Sequence, residues 1–287
     1  MEHPALALRG LGKDYGRRTA VGAIDLDVRA GECFGLLGNN GAGKTTTLSM
    51  ACGVVTPTRG TVTIAGIDLA TSSRTAKARL GVVPQELALY DELPADENLR
   101  YFGALYGLRG AELEKRVAWS LAKVGLSDRA RDLVKTYSGG MKRRLNLAAG
   151  LVHAPTLLIL DEPTVGVDPQ SRRDIHDIVR ALVAEGTTVV YSSHYLDEVE
   201  TMCDRVAIMD AGKIVALGTV AELTAKHAQS ASLELSGSPE VIEAAMAAAK
   251  RAALEAGATV ERAEASASLE SAFLALTGHA PQKDDAP

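Results

Sequence analysis

The stretch "GNNGAGKTT", Gly38 to Thr46, constrains the fold of this chain more than any other. It follows the apolar run "CFGLL" and opens the helix-prone "KTTTLSMACG", which Gly53 closes. Strand, glycine-rich turn and helix in that order gather backbone N–H groups into one concavity at a helix N-terminus, where a phosphate is favoured. The spacing fits G-x-x-x-x-G-K-[ST]. Gly38, Asn39, Asn40, Gly41, Ala42, Gly43, Lys44, Thr45 and Thr46 are therefore candidate nucleotide-binding residues, with Lys44 neutralising phosphate charge and the Thr45 hydroxyl available to Mg²⁺. The fold class this predicts is α/β, a P-loop NTPase core on a mostly parallel sheet.

The neighbouring segments read consistently with it. "ALALRG" and "AIDLDVRAGECFGLLG" are expected strands, Ile24, Leu26 and Val28 alternating with polar residues, and "GTVTIAGIDL" reads as one more. Together they form an N-terminal antiparallel β subdomain. From about 86 to 150 the spacing turns helical, with Leu99, Phe102 and Leu105 on one stripe and Leu113, Val117, Leu121 and Val124 on the next. This is a helical insert. "TLLILD" is a continuous apolar run ending in an acid, as a parallel strand covered on both faces requires, and "TTVVYSSH" reads as a second such strand. The helix "PQSRRDIHDIVRALVAEG" lies between them, and "RVAIMDAGKIVALG" reads as a hairpin turning at Asp210 to Gly212. The division expected is an ATPase domain over 1–224, a small alanine-rich α/β appendage over 225–279, with helices at Ser238–Gly257 and "SLESAFLALTG", and a disordered tail at 280–287.

Composition narrows the partners. A net charge of −5 over 287 residues argues against broad nucleic-acid binding, where a basic field is expected. No apolar run approaches the roughly 18 residues of a membrane span, and "MEHPALALRG" lacks a basic segment ahead of an apolar one, so no secretory signal is expected. Cys33, Cys52 and Cys203 follow no metal-ligand spacing and read as buried, reduced thiols of a cytoplasmic protein.

Two further features carry chemistry. "LLILDEP" ends an apolar strand in Asp161 and Glu162, at the strand end where open α/β sheets gather ligands. Asp161 is placed to hold Mg²⁺ through its water shell, and Glu162 to orient or deprotonate a water. "TYSGGMKRRL" sets Ser138, Gly139 and Gly140 before a basic helix, a second anion-favouring helix start far along the chain from the first. Lys142, Arg143 and Arg144 beyond it read as a solvated face.

With these motifs the chain resembles the nucleotide-binding subunits of ABC transporters over roughly residues 4 to 220. The resemblance implies that two copies pair head to tail, each ATP lying between one cradle and the partner's "YSGGM", so that Ser138, Gly139 and Gly140 act in trans. It implies that Tyr15 stacks on adenine, that Gln85 reaches Mg²⁺ and links the core to the insert, that Asp168 lies on the loop crossing the dimer interface, and that His194 contacts the γ-phosphate. Lys44, Glu162 and His194 are then the catalytic set; Thr45, Gln85 and Asp161 are the metal set. Tyr137 and Met141 depart from the common L-S-G-G-Q, and Asn39 stands where proline is common, yet none of these removes a phosphate-contacting N–H. The drug-resistance branch of exporters is the nearest likeness, implying ATP as substrate, Mg²⁺ as cofactor, a separate membrane-spanning permease as partner and a place on the cytoplasmic face of the cell membrane. The homodimer is favoured. A soluble ABC ATPase acting on ribosomes or DNA is the alternative; a binding module that holds ATP without turnover would be signalled by loss of Glu162 or His194, and both are present.

Overall fold

The computed structural model describes residues 3–227 and 269–278, with the single positions 238, 244, 248, 251 and 252 between them. Two sheets meet at the glycine-rich turn. The first is antiparallel, built from β1 (Leu6–Tyr15), β2 (Arg18–Val28), β4 (Arg59–Ile64) and β5 (Ile67–Asp68) in the order β2-β1-β4-β5. The second holds β3 (Cys33–Leu37), β6 (Leu80–Val83), β7 (Leu157–Asp161), β8 (Thr188–Ser193), β9 (Arg205–Asp210) and β10 (Lys213–Thr219) in the order β10-β9-β3-β8-β7-β6. Five of its strands run parallel, and β10 returns antiparallel at the edge.

The parallel strands are covered on both faces, which is why β3, β6 and β7 up to Asp161 are unbroken apolar runs. Alternate residues of each strand feed different cores. Phe34, Leu36, Leu157, Ile159 and Val190 pack with Leu48 and Met50 of α1 (Lys44–Ala51) and with the antiparallel sheet. Leu37, Leu158, Leu160, Val189 and Tyr191 pack on the other side against α5 (Gly139–Leu151), α6 (Pro169–Ala184) and α7 (Leu196–Met202). The helical insert supplies α3 (Ala95–Leu105) and α4 (Gly110–Lys123), whose Leu99, Val117 and Leu121 join this second core.

"GTVTIAGIDL", expected as one strand, is a tight hairpin instead. Ala65 and Gly66 both take left-handed backbone, φ 48° and 77°, which suits a two-residue turn matching strand twist. Three short helices carried no clear period: α2 (Ser73–Lys77), α7, and α8 (Val220–His227), against which α9 (Leu269–Thr277) packs with Leu269 and Phe273 buried. The α9 segment was legible in "SLESAFLALTG". Of the expected Ser238–Gly257 helix, the described positions 244, 248, 251 and 252 are helical; the rest of it, much of the 225–279 region and the 280–287 tail lie outside the described residues. All three cysteines are free and buried, with the Cys33 and Cys203 sulfurs 3.9 Å apart. Among the described residues no helix is long and apolar enough to cross a membrane.

His153, just beyond α5, stacks on Tyr106 with ring centroids 3.5 Å apart, and its Nε2 lies 3.0 Å from the Leu80 carbonyl. Burial pushes its pKa down to about 4, outweighing the Leu80 hydrogen bond. The folded state therefore refuses a proton that the unfolded chain accepts near pH 6.5, so this group's contribution is complete above pH 6.5 and is lost as pH falls toward 4. Melting temperature measured from pH 7 to 4 is expected to fall, and His153→Phe, which keeps the ring stack but cannot titrate, is expected to flatten that slope.

Candidate functional site

The cradle sits where β3 hands over to α1. Gly43, the N-cap, has φ 103°, and a side chain there would meet the Ala20 carbonyl at 2.9 Å, so glycine is required on both counts. The turn between β9 and β10 holds the cradle from behind: the Gly212 N–H donates to the Ala42 carbonyl at 2.9 Å, and the Gly22 N–H donates to the Gly212 carbonyl at 2.7 Å. In front opens a cavity of about 1100 Å³.

Ten of the sequence-predicted residues line it: Tyr15, Asn40, Gly41, Gly43, Lys44, Thr45, Thr46, Gln85, Glu162 and His194. Tyr15 is 51% exposed, so its ring is a free platform rather than a core residue, with the Lys13 ammonium 5.1 Å from its centroid. Gly38, Asn39 and Ala42 do not line the cavity; Gly38 and Ala42 are buried in the turn. Asp161 is also buried and outside the lining, accepting from the Ser192 hydroxyl at 2.6 Å.

Charge is concentrated at one point. The buried Lys44 ammonium donates to the Gly38 carbonyl at 2.7 Å and lies 3.1 Å from Glu162 Oε1. His194 Nδ1 lies 3.3 Å from the same oxygen, though outside hydrogen-bond geometry. Burial pushes the Glu162 carboxyl up, but His194 and Lys44 together outweigh it and hold the group below its ordinary value, hence ionised at neutral pH. Glu162 has left-handed backbone, φ 47°, a costly conformation for glutamate. Its N–H donates to Ser192 Oγ at 3.0 Å, which fixes it there.

Ser138 caps α5, accepting from the Met141 N–H at 3.2 Å; Ser138 and Gly139 are exposed, and neither they, Gly140 nor Asp168 touches the cavity. Asp168 caps α6, accepting from the Gln170 and Ser171 N–H groups at 3.0 and 2.9 Å. Tyr137, the departure from leucine, buries its ring and donates its hydroxyl to the Arg129 carbonyl at 2.7 Å. The cations after the signature are not a solvated face. Arg143 donates to the Gln85 carbonyl and, at 2.9 Å, to the Val165 carbonyl. Lys142 pairs with Asp91 at 2.8 Å, and Arg144 donates to the Val124 carbonyl at 3.2 Å. Counting charges along the helix could not show this, because all three side chains curl back over irregular neighbouring loops.

Arg18, Thr19, Ala20, Val165, Tyr195 and Ala211 also line the cavity without having been singled out. Nor was Glu198, a buried carboxylate that accepts from Thr164 Oγ1 at 2.5 Å, Ser193 Oγ at 2.8 Å and the Tyr191 hydroxyl at 3.2 Å, with His176 Nε2 at 3.6 Å. Burial raises its pKa, yet His176, Thr164 and Ser193 outweigh that and hold it low. Its partners sit two residues after Glu162 and one before His194, so it ties those two segments together. A lone glutamate at the start of a short helix gave no sequence signal of this.

A phosphate cradle on a parallel sheet, facing an acid and a histidine at neighbouring strand ends, defines a P-loop nucleotide-hydrolysing site. The comparisons make the class specific. The ABC transporter family matches residues 21–165. The linearmycin resistance ATP-binding protein LnrL of Bacillus subtilis is 49% identical over 221 residues, 77% of this chain and 71% of that protein. The daunorubicin/doxorubicin resistance ATP-binding protein DrrA of Streptomyces peucetius is 44% identical over 219 residues, 76% of this chain and 66% of that one. A solved ATP-binding subunit of an ABC transporter superposes with TM-score 0.70 at 31% identity, covering 77% of this chain and 92% of that one. The cbiO1 structure from Clostridium perfringens, part of the cbiONQ transporter complex, superposes with TM-score 0.72 at 27% identity, over 78% and 92%. The chain belongs to the ABC transporter family, as an ATP-binding subunit with ATPase activity.

The Glu162 carboxylate lies against the Lys44 ammonium, the group a phosphate would also seek. Glu162→Gln removes that competing charge, and titration calorimetry is expected to show nucleotide bound several-fold tighter, as loss of roughly 1 kcal/mol of competing attraction implies.

Proposed function

We propose that this chain energises an export system of the drug-resistance type, with ATP-driven closure of a head-to-tail homodimer coupled to a separate membrane-spanning permease. The observation that carries this reading is the separation of the two anion-favouring helix starts. Lys44, Glu162 and His194 share one cavity, whereas Ser138 and Gly139 are exposed outside it, where a second copy's nucleotide could meet them. In the closed dimer Ser138, Gly139 and Gly140 contact the partner's γ-phosphate, and Asp168 lies at the interface. Residues 1–224 form the ATPase unit, and the 86–150 insert faces the permease.

The candidate metal donors Thr45, Gln85 and Asp161 offer oxygen ligands only, and Thr45 and Gln85 are exposed at the cavity, a set that suits Mg²⁺. When bound, Mg²⁺ supplies charge neutralisation at the β- and γ-phosphates. Lys44 leaves Glu162 for the phosphates, and the freed carboxylate takes a proton from the attacking water while His194 orients the γ-phosphate. Tyr15 stacks on the base. Beside Gln85, the exposed Leu87, Tyr90, Leu93 and Tyr101 offer the permease an apolar docking surface, with the Tyr90 and Tyr101 rings packed edge to face at 5.0 Å. A place on the cytoplasmic face of the cell membrane follows from that partner.

The test is to purify tagged Glu162→Gln chain from detergent extracts with Mg-ATP. A dimer on size exclusion carrying a multi-spanning membrane protein in stoichiometric amount is the expected result, with ATP turnover reduced at least a hundredfold. Ribosomes, DNA or a soluble enzyme in its place would overturn the transport reading, and wild-type turnover would overturn the role given to Glu162.

A further inference from the structure

Arg143 stands one turn into α5, the helix capped by the exposed Ser138 and opened by the exposed Gly139. Its Nη1 donates to the Gln85 carbonyl and its Nη2 donates to the Val165 carbonyl at 2.9 Å. Gln85 and Val165 belong to different segments, one entering the helical insert and one following Glu162, and both line this chain's own cavity. A planar guanidinium presents its donors at a fixed spread, so two carbonyls bound to one fork cannot separate freely.

A second contact makes α5 follow the same wall. A side chain at Gly140 would come within 2.0 Å of Ser171 Oγ, which itself donates to Asp168 Oδ2 at 2.6 Å. The start of α5 is thus seated on the start of α6 without slack, and only two residues, Gly166 and Val167, lie between Val165 and the α6 cap at Asp168. The neighbouring cations do something else: Lys142 and Arg144 tie α5 to Asp91 and Val124 of the insert, not to the cavity wall.

We propose that Arg143 is a positioning residue that couples the two nucleotide sites of the dimer, holding each chain's Ser138–Gly140 in register with the Gln85 and Val165 walls of its own cavity. The inference rests on the reading that Ser138–Gly140 serves the partner's nucleotide. A nucleotide entering one cavity displaces the Gln85 or Val165 wall; the fork moves α5 with it; and the change arrives at the other site through Ser138. Coupling of this kind is a free energy shared between two sites and shows as cooperativity in ATP.

The test compares the full-length wild type with Arg143→Met, which keeps the aliphatic stem but no donor, Arg143→Lys, which keeps charge but cannot span two carbonyls, and Lys142→Met as a same-helix control. Turnover is read against Mg-ATP and against enzyme concentration; binding of ATP to the dilute chain and melting temperature are measured alongside. The expected wild-type Hill coefficient is near 2. In Arg143→Met it falls to about 1 and turnover drops about tenfold, while single-chain affinity stays within about twofold. Arg143→Lys does not restore it, and Lys142→Met keeps it. Lower turnover in Arg143→Met with an unchanged Hill coefficient would overturn the coupling and leave only a structural role. Wild-type turnover linear in enzyme concentration with a Hill coefficient of 1 would instead overturn the composite-site reading, and the coupling with it.

Discussion

Everything in the site is arranged around one buried cation. Lys44 is almost inaccessible to water, and an ammonium so placed needs compensation close by. It finds some in the Gly38 carbonyl of its own cradle and the rest in Glu162. That second partner comes from β7, two strands away from the cradle strand in the sheet, so the ion pair fixes the spacing between the two motifs that define the cavity. His194 arrives from β8, the strand between them, and adds its Nδ1 to the same carboxylate oxygen. Sheet order β3-β8-β7 is thus what brings Lys44, His194 and Glu162 together. The two cores on opposite faces keep that order from shearing.

The Lys44–Glu162 ion pair also has a functional logic. A free buried ammonium would be costly, and so would a free carboxylate beside it; paired, each shields the other. Arrival of a phosphate exchanges one anion for another at Lys44 and leaves Glu162 next to the new ligand with its negative charge intact. In the proposed mechanism the residue that balances the Lys44 charge is also the one that faces the γ-phosphate. Its left-handed backbone, pinned through Ser192, aims the carboxylate back over the cradle instead of along the strand.

Much of this was legible in the sequence, and the pattern of success is physical. The cradle could be read because backbone N–H groups can converge only when particular positions lack a Cβ, and Gly43 shows the constraint directly. The parallel strands could be read because burial on both faces removes every charged residue from "LLIL" and "TVVY". The Ala65–Gly66 turn was missed because alanine there gives no warning of left-handed backbone. Arg143 was misjudged as solvated because a long side chain on an exposed turn can still fold onto carbonyls contributed by segments far away in sequence. Glu198 was invisible for a related reason: its significance lies in which donors the fold assembles around it, and Thr164, Ser193 and Tyr191 become neighbours only once β7 and β8 pair.

The short clip formed by Gly22, Gly212 and Ala42 has a consequence for how the molecule breathes. It joins the antiparallel sheet, the edge hairpin and the cradle through two backbone bonds that share a single glycine. Opening either sheet at that point loosens the other, so amides on both sides of the clip are expected to open together and to exchange with solvent at a common rate. The insert is joined to the cavity wall by side chains, the Arg143 fork among them, and not through that clip. The shape of the phosphate cradle is thereby held by backbone bonds, and the link from the cavity wall to the insert by side chains.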